Sequence, residues 1–153
     1  MIERLPSTDP SLIALSNTVF AELRNIYRPT VLAQQNKMTS TDDWTYFGYY
    51  LEQRLVAVAS VKLSGDTLHL SALAVASTSR RKGVARYLIS EVQKMFPHAN
   101  QISVWCVEQT GNVNVFESLG FKVVESVESD YFELTNTSDE KATEVRLERK
   151  LVK

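Results

Sequence analysis

Arg80, Arg81 and Lys82 stand together immediately before Gly83, and Arg86 follows three residues later. Guanidinium and ammonium groups hold anionic oxygens, and a glycine lets a ligand approach the backbone itself. The chemistry this suggests is the binding of a phosphate or diphosphate. Between Thr67 and Ser90 there are four Arg or Lys and no Asp or Glu. These cations fall where an amphipathic helix begins, with Val84, Leu88, Val92 and Met95 on one helical face. A helix start already carries partial positive charge, so cations there are mildly destabilising. A bound polyanion resolves that conflict, since free amides at the helix start join the cations in a phosphate cradle. Read from residue types alone, the cluster is equally a solvated basic face.

The element ahead of the cluster separates the two readings. Leu68 to Ala76 is an apolar run alternating with small residues, which reads as a strand covered on both faces, ended by Ser77, Thr78 and Ser79. In that setting Arg80-x-x-Gly83-x-Ala85 resembles Arg/Gln-x-x-Gly-x-Gly/Ala, the acyl-CoA pyrophosphate loop of the GNAT N-acetyltransferase superfamily. It matches neither the Gly-x-x-x-x-Gly-Lys-Ser/Thr loop of ATPases nor the Gly-x-Gly-x-x-Gly of dinucleotide folds. A second stretch, Phe116-Glu117-Ser118-Leu119-Gly120-Phe121, is similar to the Tyr-Glu-x-Leu-Gly-Phe that the superfamily carries after its fifth strand.

The elements that must position these residues can be read in order. Met1 to Leu5 is a short strand ended by Pro6. Asp9 caps a helix that starts at Pro10 and carries Leu12, Leu15, Val19, Leu23 and Ile26 as its apolar stripe, reaching Tyr27. Pro29 breaks it, a further turn or two of helix fits Thr30 to Asn36, and Lys37 to Asp43 is polar loop. Thr45 to Leu51 and Leu55 to Leu63 read as strands joined by a tight turn at Glu52-Gln53-Arg54. Pro97 stops the basic-ended helix, and Gln101 to Val107 is the next strand. A short helix from Asn112 to Leu119 ends with Gly120 at the C′ position and Phe121 folding back behind it. Lys122 to Thr135 and Thr143 to Val152 are two long strands joined by a polar loop, Asn136 to Ala142. Tyr27, Trp44 and Tyr46 read either as one wall of an acceptor pocket or as core and rim aromatics.

This order of elements is that of a GNAT domain, and the resemblance covers nearly all of residues 1–153, taken as a single domain. It implies an α/β (α+β) fold: a mixed, mostly antiparallel central sheet of about seven strands flanked by helices and splayed between strands four and five. It implies a co-substrate, acetyl-CoA, whose pantetheine arm fills that gap and pairs with Leu73, Ala74 and Val75. The pyrophosphate would rest on amides from Arg81 through Lys82, Gly83, Val84 and Ala85 to Arg86, with Arg80 and Arg86 as charge partners. A strand-four amide near Val75 would stabilise the oxyanion. Gln109 takes the place of an asparagine that bonds the pantetheine, Asn112 follows three positions on, and Phe116 occupies a tyrosine position that in many relatives protonates the leaving thiolate. A phenyl ring cannot donate a proton. Tyr131, water or Cys106 would have to supply that proton, although a CoA thiol is acidic enough to leave unaided.

The acceptor amine must be neutral to attack, so a base is expected. His69 is the first candidate, six residues before Val75, at an offset that resembles the general-base position of the histone-acetylating branch; an imidazole titrates near neutral pH. A strand histidine without a catalytic role fits the same position. Glu133 and Tyr131 are further candidates. The resemblance thus implies transfer of acetyl to a primary amine of a small molecule or peptide by direct attack, or, because of Phe116, a non-catalytic acyl-CoA-binding regulatory module.

Composition narrows the partners. A formal net charge of −1 argues against a general nucleic-acid or membrane surface. The single cysteine, Cys106, admits no internal disulfide and fits a reducing cytoplasm. Cys106 reads as a buried small apolar residue rather than an acyl carrier. Met1-Ile2-Glu3-Arg4-Leu5-Pro6 does not read as a signal peptide, and no apolar run reaches membrane-spanning length. No metal-ligand spacing appears, which disfavours kinase or nucleotide-hydrolase chemistry. The long final strands offer edges for a homodimer.

Overall fold

Stretches with a period of two become strands here, and those with apolar residues three and four apart become helices. The computed structural model describes residues 1–30, 44–135 and 141–151. Among these, eight strands and three α-helices follow one another: β1 (Ile2–Leu5), α1 (Pro10–Leu23), β2 (Tyr27–Pro29), β3 (Thr45–Leu51), β4 (Arg54–Ser64), β5 (Thr67–Val75), α2 (Val84–Lys94), β6 (Gln101–Val107), α3 (Asn112–Ser118), β7 (Lys122–Leu134) and β8 (Lys141–Lys150). Short 3₁₀ turns at Ser77–Ser79 and Glu108–Thr110 precede α2 and α3. The class is the expected mixed α/β one, with eight strands in place of about seven. The chain divides into two units, Met1–Phe20 with Trp44–Ser103 and Lys150–Lys153, and Ala21–Asp43 with Val104–Arg149.

In the first unit the strands lie in the order β1-β3-β4-β5, each pair antiparallel. Asp9 caps α1 as its type predicts, its carboxylate accepting the Leu12 amide at 3.0 Å. Leu12 is buried with Leu5, Val58 and Ala74, and Leu15, Val19 and Tyr46 pack against them. Neighbouring residues on a strand point to opposite faces, so Phe47 takes the other side and meets Phe96, just after α2, edge-on at 6.3 Å. Val84, Leu88, Ile89 and Val92 form the buried stripe of α2. The two helices therefore cover opposite faces of the ladder. At its lower end, Asn100 donates from its backbone to Asp66 O at 2.7 Å and from Nδ2 to Asp66 Oδ2 at 3.1 Å, and Gln101 Nε2 donates to Thr67 Oγ1 at 2.9 Å. These bonds tie the starts of β5 and β6 together.

In the second unit the order is β6-β8-β7-β2, with β7–β8 and β2–β7 antiparallel. The end of α3 follows the glycine-terminated pattern read from its sequence. Gly120 has φ 94°, its amide donates to Glu117 O at 3.0 Å, and the Phe121 amide donates to Phe116 O at 3.1 Å. The extra strand is β2. The apolar stripe of α1 predicts a helix reaching Tyr27, yet the helix stops at Leu23 and Tyr27–Pro29 pairs with Phe132–Leu134. A residue before proline is pushed out of the helical region, and Arg28 precedes Pro29. Tyr27 meets Phe132 edge-on at 5.2 Å, and Arg28 bonds Glu133 at 2.7 Å. The helix expected over Thr30 to Asn36 lies mostly outside the described residues, as do the polar loop Lys37 to Asp43 and nearly all of the loop Asn136 to Ala142.

Candidate functional site

The site read from sequence begins on β5, where the ladder is interrupted. Ser60 pairs with Ser71 and Val58 with Ala74, so one residue of β4, Ala59, faces two of β5, Ala72 and Leu73. That is a β-bulge, and Ala72 sits in it with φ 50°, a conformation costly for a side chain with a Cβ. Such strain persists only where the surroundings impose it, and it concentrates at ligand sites. Nothing in the residue types of Ala72 or its neighbours marks the bulge.

Beyond the bulge the register decides which way the backbone points. Ala57 pairs with Val75, and the Ala76 amide donates to Val56 O at 2.8 Å. In an antiparallel ladder this makes Ala57 and Val75 the pair that exchanges no hydrogen bonds, so the N–H and C=O of Val75 point away from β4. Arg80 Nε donates to that carbonyl at 3.1 Å. The amide of Val75 is turned to the same side. Sequence reasoning places Arg80 on the phosphate; the structure shows its guanidinium also holding the loop to the end of the strand.

The loop itself is built by two left-handed residues. Arg81 has φ 64° and Gly83 has φ 75°, on either side of Lys82. Glycine adopts this conformation freely, arginine does not. A Cβ added at Gly83 would meet nothing within 4 Å, so the space over this backbone is open. Helix α2 begins at Val84 with no side chain capping its first amides. Arg80, Arg81, Lys82 and Arg86 are exposed, Val84 is buried and Ala85 half-buried. Uncapped amides, a backbone concavity and surrounding cations are the parts of an anion cradle. The loop thus fits a diphosphate. His69, half-buried on β5, pairs across the ladder with Lys62.

The remaining sequence-predicted residues belong to the second unit. Gln109 is engaged locally: its Oε1 accepts the Thr143 amide at 3.1 Å and its Nε2 lies 3.4 Å from Thr143 Oγ1. Asn112 opens α3, with its amide donating to Thr110 Oγ1 at 3.2 Å. Phe116 is buried and packs against Phe121 at 5.5 Å between ring centres. Tyr131 is exposed, whereas Glu133 is held by Arg28. Cys106 is half-buried, and burial pushes its thiol up to about 11 from an ordinary 9.0, so it stays protonated at neutral pH. Of the three aromatics considered as pocket wall, Trp44 and Tyr46 line a cavity of about 410 Å³ and Tyr27 packs on Phe132. Among the described residues, no cluster of His, Cys, Asp or Glu could hold a metal ion, and no helix is long and apolar enough to cross a membrane.

Comparison with known proteins follows this geometry. The family model described as the acetyltransferase (GNAT) domain, PanZ, matches residues 8–127. No curated protein matches the chain. Among solved structures, the ribosomal-protein-S18-alanine N-acetyltransferase of Escherichia coli superposes with a TM-score of 0.69 at 15% identity, over 100% of this chain and 94% of that one. The IAA acetyltransferase of Bacillus cereus gives 0.70 at 14% identity, over 99% of each chain. A Bacillus subtilis acetyltransferase in complex with CoA gives 0.68 at 15% identity, over 99% of this chain and 98% of that one. At these identities the likeness establishes the fold.

Proposed function

Because the chain belongs to the GNAT acetyltransferase domain family of the PanZ type, we propose that it is an acyl-CoA-dependent N-acyltransferase, moving acetyl from acetyl-CoA to a primary amine. The observation that carries this reading is the loop after β5: left-handed Arg81 and Gly83, an uncapped α2, and four exposed cations. We take residues 1–153 as one such domain, working in the cytoplasm and able to pair as a homodimer.

Amides from Arg81 to Arg86 hold the diphosphate, with the guanidinium of Arg86 beside them. Arg80 fixes the loop against Val75 O, so cradle and strand end keep a constant spacing. Leu73, Ala74 and Val75 supply backbone groups to the pantetheine arm, and the Val75 amide, turned off the ladder, meets the acyl oxygen. The bound thioester supplies an activated acyl group. His69 removes a proton from the ammonium of the acceptor, directly or through water, and the neutral amine attacks; a C–N bond forms, the C–S bond breaks, and the thiol departs. Much of the acceleration comes from holding the amine beside the acyl carbon. Glu133 is the weaker base, since Arg28 occupies it, and the hydroxyl of exposed Tyr131 has no hydrogen-bond partner among the described residues that would aim it. In the second unit, Gln109, Asn112 and Phe116 are the residues that the family resemblance assigns to the coenzyme.

One observation favours a second reading. Phe116 is packed into its unit and carries no hydroxyl, so a proton donor common in relatives is missing. That suits an acyl-CoA-binding regulatory module without turnover. Thiol release from acetyl-CoA, followed with a panel of amines and alongside direct measurement of CoA binding, separates the two. Amine-dependent release is expected. Binding without release under every amine establishes the module, and absence of CoA binding refutes both.

A further inference from the structure

Six successive residues of β4, Val56 to Val61, are buried, and Ser60 is the one polar side chain among them. A hydroxyl in such a place needs a partner. The Ser60 Oγ donates to Ser71 O at 3.1 Å, across the ladder on β5 rather than within its own strand. Ser71 is the last residue of β5 before the bulge, and its carbonyl belongs to the peptide that carries the Ala72 amide. Holding that carbonyl therefore fixes one of the two peptide planes that set φ at Ala72. A bulge whose first residue is left-handed ordinarily places glycine there. Here alanine occupies the position, at φ 50°.

The bulge decides what β5 offers beyond it. Were the pairing of Ser60 with Ser71 continued without interruption, Val75 would stand opposite Val56. The Val56 carbonyl points at β5, where it accepts the Ala76 amide at 2.8 Å. Opposite such a residue Val75 would join a bonded pair, with its own N–H and C=O turned into the ladder. The extra residue sets Val75 against Ala57 instead and releases both groups from β4. The same one-residue slip would exchange the faces of Ala74 and Val75. Ala74 packs with Leu5, Leu12 and Val58, where a valine would be oversized, so the core opposes the slip as well. Packing thus favours the register, and the Ser60 hydroxyl acts at the strained residue itself.

We propose that Ser60 is a positioning residue for acyl transfer: its hydroxyl pins the bulge at Ala72 and so keeps the Val75 amide turned off the ladder, toward the acyl oxygen. Ser60 touches neither coenzyme nor acceptor in this assignment and acts only through β5. Its part in catalysis rests on the acyltransferase reading; the pinned register does not.

Ser60→Ala and the double variant Ser60→Ala/Ala72→Gly are compared with the wild-type protein. Turnover is read as thiol release from acetyl-CoA with the amine of the panel that the wild type uses best. Register is read by NMR from the Hα–Hα cross-peak between Ala57 and Val75, since a non-bonded pair brings its Cα atoms within about 4.5 Å. Ser60→Ala is expected to lower kcat about 10-fold, because a small misplacement at the reacting centre is enough. KM for acetyl-CoA should change far less, the phosphate loop being untouched, and the cross-peak should weaken. Glycine adopts a left-handed φ without the pin, so the double variant should recover kcat and cross-peak together. A loss of stability alone would move neither. A wild-type kcat or cross-peak in Ser60→Ala, a loss confined to KM, or a loss that Ala72→Gly does not recover overturns the proposal. If the wild type releases no thiol with any amine, the acyltransferase reading fails instead; a cross-peak weakened in Ser60→Ala then still supports the pin, and an unchanged one refutes it.

Discussion

Ser103 is 2% exposed on β6, and its Oγ has no hydrogen-bond partner among the described residues. Leaving a buried hydroxyl unpaired costs about 1–3 kcal/mol, so Ser103→Ala is expected to raise the unfolding free energy by about 1 kcal/mol, read from the urea midpoint. A lower midpoint would mean the hydroxyl finds a partner in solution. Other polar residues have partners that their types do not announce. Glu133 reads as a base, but its carboxylate is 2.7 Å from Arg28, 105 positions away. Gln109 reads as a ligand for the pantetheine, while its amide already serves the backbone of Thr143. Such pairings depend on which strands become neighbours, and no single side chain encodes that.

At the scale of elements, the β3–β4 hairpin turns through two residues, Glu52 and Gln53, with φ 50° and 65°. Positive φ at both positions matches the twist of a two-residue hairpin but is uncomfortable for side chains with a Cβ. Replacing them by Asn-Gly is expected to stabilise the protein by about 1 kcal/mol, a rise of about 2–4 °C in Tm for a chain of this size. An unchanged Tm would show that flanking contacts, not the turn residues, set this hairpin. The same hairpin illustrates what short-range chemistry reveals: a turn at Glu52-Gln53-Arg54 is legible, whereas its tightening to two residues, with Arg54 already paired to Leu51, is decided by the strands it joins. The N-cap of α1 and the glycine stop of α3 are legible too, because each is satisfied within a few residues of chain. The strand β2 is not, since its ladder partner is more than a hundred residues away.

For the whole molecule, a ligand that binds only the folded state stabilises it in proportion to its saturation. Acetyl-CoA at 100 times its Kd is expected to add about 2.7 kcal/mol to unfolding, read as a rise in Tm. Gly83→Glu should abolish that rise. Glutamate at φ 75° is strained and places a carboxylate in the open space proposed for the diphosphate, so the unliganded Tm is expected to fall only by a few degrees while CoA affinity disappears. A variant that keeps the ligand-induced rise would show that the coenzyme lies elsewhere.

Local sequence determined the fold class, the order of nearly all elements, and the loop from Arg80 to Ala85, because strand periodicity, capping chemistry and a left-handed glycine act over distances shorter than ten residues. The tertiary structure decided the bulge at Ala72, the outward turn of the Val75 backbone, and the tie from Arg80 to Val75 O. Each of these follows from strand register, and register is fixed by which apolar faces are buried against which helices. That is a property of the packed molecule, absent from any one segment of its chain.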